Sequence, residues 1–406
     1  MRAISKTVKA VFAVCFSLSL ALWSMMIAAA YSTDDTYFFS DSQGFEISRY
    51  VTMSSAKSIE SCNWQNTTEK KELRLFGIFP IKNVSVTKTE RKYVSPGGIP
   101  FGIKLVSDGV LITAVSGVNC NGKVVAPARD AGIKCGDIIL SVNGKRVYSN
   151  EDVVKEMKEQ TTLEVRHENG RVQNYHLTAA LDPNDNSYKL GIWVRDSSAG
   201  IGTITFFDSQ NRIFGGLGHP VCDSDTGSIL PLLKGEVVAA EIGGVIKGKN
   251  GTPGRLCGNF MPFKQSGKIL KNNETGVFGT LKNVKSTADP IPVAFKQEIR
   301  CGKATMLTTI SGTKAQEFEI EIEKICVGAR SSKNMVVHIT DARLLDKTGG
   351  IVQGMSGSPI IQNGKLIGAV SHVFVNDSTR GYAIFAENML ETAQNVAEEH
   401  KFKEAG

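Results

Sequence analysis

The sequence predicts a mainly β protein: a small mixed α/β unit, then a larger β region built as a barrel or sandwich, closed by one helix. Three observations carry this. Short runs rich in β-branched residues, such as EVVAAEIGGVI, ATMLTTI and FEIEIEKICVG, recur beyond residue 182 with no helical period between them. The chain holds 40 glycines, and Asn-Gly pairs at Asn169–Gly170 and Asn363–Gly364 supply hairpin turns. Only the last stretch, AENMLETAQNVAEEHK, spaces its apolar residues as an amphipathic helix does.

At 406 residues, 41% hydrophobic and 21% charged, the chain is long enough for two or more cores. The net charge is +7, and Arg2, Lys6 and Lys9 supply three of those charges ahead of an apolar run from Ala10 to Tyr31. The remainder is too mildly basic, and too poor in basic stripes interleaved with aromatics, to indicate nucleic acid as a partner. A basic start, an apolar run and Ala28–Ala30 before the first acids predict a secretory signal or a membrane anchor over residues 1–31. Residues 32–94, polar and with charge clusters such as TEKKELR, read as a linker or stalk. Beyond Cys15 lie seven cysteines, an odd number read as buried thiols with room for one disulfide. His219 and Cys222 have the spacing of a metal pair, but no second close pair completes it, so no metal site is expected.

Residues 95–181 contain APARDAGIKCGDIILSVNGKRV, then SNEDVVKEMKEQ, a helix capped by Ser149 or Asn150, then a hairpin. This order resembles a PDZ domain, an α+β fold. The resemblance puts the carboxylate-binding loop at Phe101, Gly102 and Ile103, where a peptide C-terminus or an internal peptide would add as a strand.

Residues 182–406 carry the chemistry. The stretch GGIVQGMSGSPII crowds glycine around serine at a cost in chain entropy. With the following QNGKLIGAVSH it resembles the nucleophile segment of chymotrypsin-clan proteases, which implies a double β-barrel with the C-terminal helix behind it. The resemblance makes Ser356 the nucleophile, gives the oxyanion hole to the N–H groups of Gly354 and Ser356, and lays substrate along Ser371, His372 and Val373. A serine hydroxyl needs an adjacent base. Of six histidines, His167, His176, His338 and His400 read as strand or surface residues, and His372 is tied to the substrate strand. His219, in GGLGHP after a strand pair, remains. Clan order puts the acid between base and nucleophile, where Asp341, Asp346, Asp289 and Asp223 all stand.

The combination of apolar N-terminus, PDZ-like unit, GLGHPVCD and VHITDARLLDKTGGIVQGMSGSP resembles the SpoIVB (stage IV sporulation protein B) serine peptidases of endospore-forming bacteria. That resemblance selects His219, Asp341 and Ser356 as catalytic. It implies an endopeptidase working through an acyl-enzyme without a cofactor. It also implies export across the forespore membrane into the intermembrane space, tethering until self-cleavage near the N-terminus, and cleavage of a regulator of a membrane-embedded protease, which releases sigma factor processing. The alternative is a catalytically inactive peptide-binding scaffold at the membrane. Envelope proteases of the trypsin-like type usually place PDZ after the protease domain, whereas here it comes first.

Overall fold

The computed structural model describes residues 2–33, 35–40, 50–53, 68–120, 122–249, 251–282, 288–326 and 332–405. Within α1 (Arg2–Ser32), Val8–Tyr31 is long and apolar enough to cross a membrane. Its Leu22, Met26 and Ala29, spaced along one helix face, pack on a small four-stranded sheet of β1 (Thr36–Phe39), β2 (Val51–Met53), β3 (Thr68–Leu75) and β4 (Phe79–Lys88). The described part of residues 32–94 is therefore a sheet with its own core of Tyr37, Val51, Leu73, Leu75, Val84 and Val86, and not the expected linker. The charged face of TEKKELRL hides the alternation: only Leu73 and Leu75 of β3 are fully buried.

After β5 (Tyr93–Pro96), the long strand β6 (Pro100–Val115) runs through two units. Its second half enters the PDZ unit, made of the hairpin β7–β8 (Val118–Cys120, Lys123–Val125), α2 (Pro127–Asp130), β9 (Ile138–Val142), β10 (Lys145–Arg146), α3 (Asn150–Glu156), β11 (Gln160–Arg166) and β12 (Val172–Thr178). Of the two caps the sequence offers for α3, Ser149 is the one used, in a capping box with Asp152, and Asn150 is the first helical residue. The turn at Asn169–Gly170 is not of type I′, because only Gly170 takes a positive φ. A second hairpin, β13–β14 (Ala180–Asp182, Ser187–Lys189), returns the chain to β15 (Ile192–Asp208).

Strand β15 also serves both units. Residues 192–195 pair with the PDZ half of β6, and residues 197–203 pair with its first half. There β6 and β15 join β16 (Ile213–Gly216), β17 (Leu232–Ile246), β18 (Arg255–Asn273) and β19 (Gly276–Leu281) in a ring that closes on itself. This first barrel is filled by Phe101, Ile103, Leu105, Phe214 and Val277 among others. Sharing of β6 and β15 means that the divisions expected at residues 95 and 182 do not fall at breaks in the hydrogen-bonded structure.

The short β20 (Ile291–Pro292) leads to a second closed barrel, ordered β21 (Gly302–Thr308), β22 (Gln316–Ile325), β23 (Met335–Ile339), β26 (Asp377–Phe385), β25 (Lys365–Phe374), β24 (Pro359–Gln362), with α4 (Ala342–Thr348) between β23 and β24. Helix α5 (Ala386–Ala405) buries Met389, Leu390, Ala393 and Val396 in a cluster shared with Phe206 and Phe278 of the first barrel and Leu366 and Ile384 of the second. The fold is thus the expected mainly β one: PDZ unit, double barrel, closing helix. The described cysteines are free thiols and none is buried: Cys15 lies exposed on α1, and the others sit in loops or on outward strand positions; Cys62 lies outside the described residues.

Candidate active site

Ser356 stands in the turn between α4 and β24, in the cleft between the barrels. Gly354 and Gly357 on either side have φ of +98° and +94°, a region that favours glycine. The first barrel pins this turn. Thr203 N donates to Ser356 O at 3.0 Å, Thr203 Oγ1 to Gly354 O at 2.8 Å and Thr205 Oγ1 to Gly357 O at 2.8 Å. Leu256 N donates to Gln353 O at 2.8 Å. Among the described residues, the N–H groups of Gly354 and Ser356 have no acceptor, whereas their neighbours Met355 and Gly357 donate to Val352 O and Val370 O. Two N–H groups without an acceptor beside a serine are what stabilising a developing oxyanion calls for. Ser358, the other serine of the motif, is buried and donates to Thr308 at 3.0 Å, which makes it part of the core.

His219 follows β16 on the segment that lies against the same turn: a Cβ on Gly357 would come within 2.5 Å of Leu217 N. Its Nδ1 is 2.7 Å from Pro220 O, so Nδ1 carries the proton and donates, leaving Nε2 as the basic nitrogen. Asn272, clamped to both N and O of Val221 at 2.8 and 2.9 Å, steadies the chain beyond it. The His372 ring lies 5.0 Å from the His219 ring, and its Nδ1 is buried with no partner among the described residues. Burial lowers the pKa of His219; burial, then the charges of His219 and Lys333, push His372 down to about 4. Among the described residues His372 and Val373 pair with β26 alone and Ser371 falls at a register shift between them and Val370; Ser356 Oγ donates to Ser371 O at 3.1 Å, and Ser371 Oγ to Ser332 O at 2.6 Å.

A neutral base is required for proton abstraction, and a histidine held below its usual 6.5 stays neutral as the pH falls through that value. The acid limb of the reaction is therefore expected below pH 6.5, read from the rate of fluorophosphonate labelling against pH. Native His219 and His372 resist protonation while the unfolded chain takes up protons, so stability should decline as the pH falls from about 6.5 towards 4, seen in thermal melts.

The structure does not bring Asp341 to His219. No carboxylate among the described residues lies within hydrogen-bond distance of the His219 ring. Asp341 instead caps α4, accepting from Arg343 N at 2.9 Å, Glu319 N at 3.2 Å and the Arg343 guanidinium at 3.1 and 2.7 Å. Those bonds, the guanidinium first, hold its carboxyl down at about 2. With its oxygens filled by a cap and a fork, this acid anchors the approach to the nucleophile turn. Asp341→Asn, which can still cap, is expected to keep kcat within about tenfold, where loss of a triad acid costs about 10⁴. Asp341→Ala should lower stability by about 1–2 kcal/mol. Steady-state rates and denaturant melts check both. Of the rivals, Asp223 is bound by Arg195 and Asp346 lies 3.9 Å from Lys247. Among the other histidines, His167 bonds Asp137 and Tyr175 at 2.9 Å each, and His338 sits 3.4 Å from Glu323.

Phe101, Gly102 and Ile103 do not form a peptide-binding loop. They lie near the start of β6, paired to β15 on one side and β17 on the other, with Phe101 and Ile103 only 2% and 3% exposed. A strand with both edges filled accepts no third. The open edge is elsewhere. Residues 192–198 of β15 pair with β6 alone among the described residues, and α3 lies alongside, where Asn150 N donates to Asp196 at 2.9 Å. Just before that edge Gly191 turns with φ +73°, its Cβ position 2.2 Å from Ser116 O, and the N–H groups of Leu190 and Gly191 have no acceptor among the described residues. Leu190-Gly191-Ile192 repeats the apolar-Gly-apolar pattern of residues 101–103, which is the signal sequence reasoning passed over.

A family model described as SpoIVB peptidase S55 matches residues 186–390, and one described as a PDZ domain matches residues 121–167. No curated protein matches the chain. Among solved structures it is similar to the Rv3671c protease from M. tuberculosis in its active form, at 14% identity over 49% of this chain and 74% of that one, with a TM-score of 0.31. It is also similar to the HtrA-type protease AlgW with a decapeptide, at 12% identity over 50% of this chain and 55% of that one, with a TM-score of 0.30.

Proposed function

The chain belongs to the SpoIVB peptidase S55 family and is a serine peptidase with its PDZ domain ahead of the catalytic barrels, and from that premise we propose that it is a signalling endopeptidase using Ser356 and His219. The observation that carries the residue assignment is the pair of acceptor-free N–H groups at Gly354 and Ser356 on a turn pinned by β15. Ser356 Oγ attacks the scissile carbonyl while His219 Nε2 takes its proton. The carbonyl oxygen gains the negative charge in the hole formed by those two donors. His219 then returns the proton to the leaving amine, and water resolves the acyl-enzyme by the same steps. The Pro220 carbonyl fixes the tautomer of the base, a role a carboxylate fills in the usual triad. Ser371, His372 and Val373 offer substrate a strand edge.

A peptide docks at the PDZ unit along β15, its C-terminal carboxylate received by the Leu190 and Gly191 N–H groups. Family membership supports the finer role: export across the forespore membrane on α1, self-cleavage that frees the enzyme, and cleavage of a regulator of a membrane-embedded protease. The test is intact mass after fluorophosphonate treatment. One adduct, located on Ser356 and missing from Ser356→Ala and His219→Ala, is expected; no adduct on the wild type would favour an inactive scaffold.

A further inference from the structure

One strand joins the peptide edge to the catalytic groups. The outer edge of β15 has no partner strand among the described residues over 192–198, with Trp193 65% exposed on it, and the same strand continues to Thr203 and Thr205, whose bonds hold the Ser356 turn. A second link leaves from the edge itself. Arg195 reaches across to Asp223, and also to Asp225 at 2.7 Å, in the turn that follows His219. Asp223 is 1% exposed and is the fixed centre of that turn, accepting from Asp225 N at 3.0 Å and Thr226 N at 2.9 Å. At the α3 side of the groove, Asp196 accepts from Asn150 N, while Asn150 Oδ1 is buried with no partner among the described residues. A guanidinium bound to a buried carboxylate is costly to break, so movement at Arg195 is passed on to the base segment.

The groups so connected are not yet engaged with one another. Ser356 Oγ donates to Ser371 O and His219 Nδ1 to Pro220 O, so the hydroxyl is spent on a carbonyl and not on the base. Building on the peptidase reading above, we propose that Arg195 is a positioning residue through which an extended peptide, added along residues 192–198, draws the His219 and Ser356 segments into reactive register. Peptide docking is then an activating event. Its signal runs along β15 to the nucleophile turn and through Arg195 and Asp223 to the base.

The experiment uses the full chain in detergent. The readout is the rate of fluorophosphonate labelling at Ser356, with and without a pool of decapeptides ending in a free carboxylate after Val, Leu, Ile or Phe. Trp193 fluorescence reports docking. In the wild type the pool is expected to speed labelling at least about fivefold, and the same pool with amidated C-termini should not. Arg195→Ala should keep the Trp193 response but lose the acceleration, and Arg195→Lys should regain part of it. Should Arg195→Ala fail to fold, Asp223→Asn, which keeps an acceptor for the turn N–H groups, is expected to lose the acceleration in the same way. Acceleration undiminished in both Arg195→Ala and Asp223→Asn overturns the proposal. So does a wild-type Trp193 response without acceleration, or no response at all. A wild type that never labels strikes the peptidase reading first, and this inference falls with it.

Discussion

Ser356→Ala and His219→Ala are each expected to lower kcat by about 10⁶, and the double variant should lose no more than either single one. The reason is that neither group is useful alone. A serine hydroxyl keeps its proton at neutral pH, and an imidazole without the hydroxyl has nothing to abstract. What survives in each variant is the oxyanion pair at Gly354 and Ser356, whose backbone donors the alanine variants leave in place. Residual catalysis of about 10³–10⁴ over water should therefore persist and be equal in the three variants. Steady-state kinetics on a cleavable peptide decide it. Additive losses in the double variant would mean that the two residues act in separate steps and not as nucleophile and base.

Gly357→Ala is expected to abolish labelling of Ser356 and to lower stability by about 3 kcal/mol or more, as strain at positive φ adds to overpacking. A Cβ at this position would come within 2.0 Å of Thr203 O and 2.5 Å of Leu217 N, and both are backbone atoms that cannot swing aside. Relief requires pushing the nucleophile turn away from β15 and from the segment carrying His219, so the two losses share one cause. Gly364→Ala supplies the control. It too has a positive φ, of +72°, but an added Cβ there meets nothing within 4 Å. That variant should cost about 1 kcal/mol, the strain alone, and label like the wild type. Comparison of melts and labelling rates for the two separates backbone strain from the clash at the catalytic turn.

The segment proposed to carry the nucleophile was legible because everything it needs is contiguous. Gly354, Ser356, Gly357, the strand after them and the Asn363–Gly364 turn occupy one short stretch, and positive φ at each glycine is a demand of local geometry that residue type reveals. Elimination among six histidines points to His219, because His167, His176, His338 and His372 fall in strands or hairpins and His400 in the closing helix, each with a plain pattern. The small N-terminal sheet was missed because charged residues fill the outward positions of β3, leaving too few apolar ones to register.

The two remaining differences mark the limit. Phe101-Gly102-Ile103 and Leu190-Gly191-Ile192 carry the same pattern, and nothing local distinguishes them. Gly102 is extended between two partner strands, while Gly191 turns at the head of a strand with one free edge, and only long-range pairing creates that difference. Asp341 has the residue type and chain position of a triad acid, yet Arg343, two residues on, and the Glu319 N–H take its oxygens first. By itself, then, the sequence determined the mainly β class, the glycine turn around Ser356 and the capped PDZ helix, since each follows from neighbours along the chain. Which strand edge is left unpaired, that Asp341 is taken up by a helix cap, and how β15 reaches the Ser356 turn were decided by the tertiary structure, because hydrogen-bond partners distant in sequence compete for the same backbone and side-chain atoms.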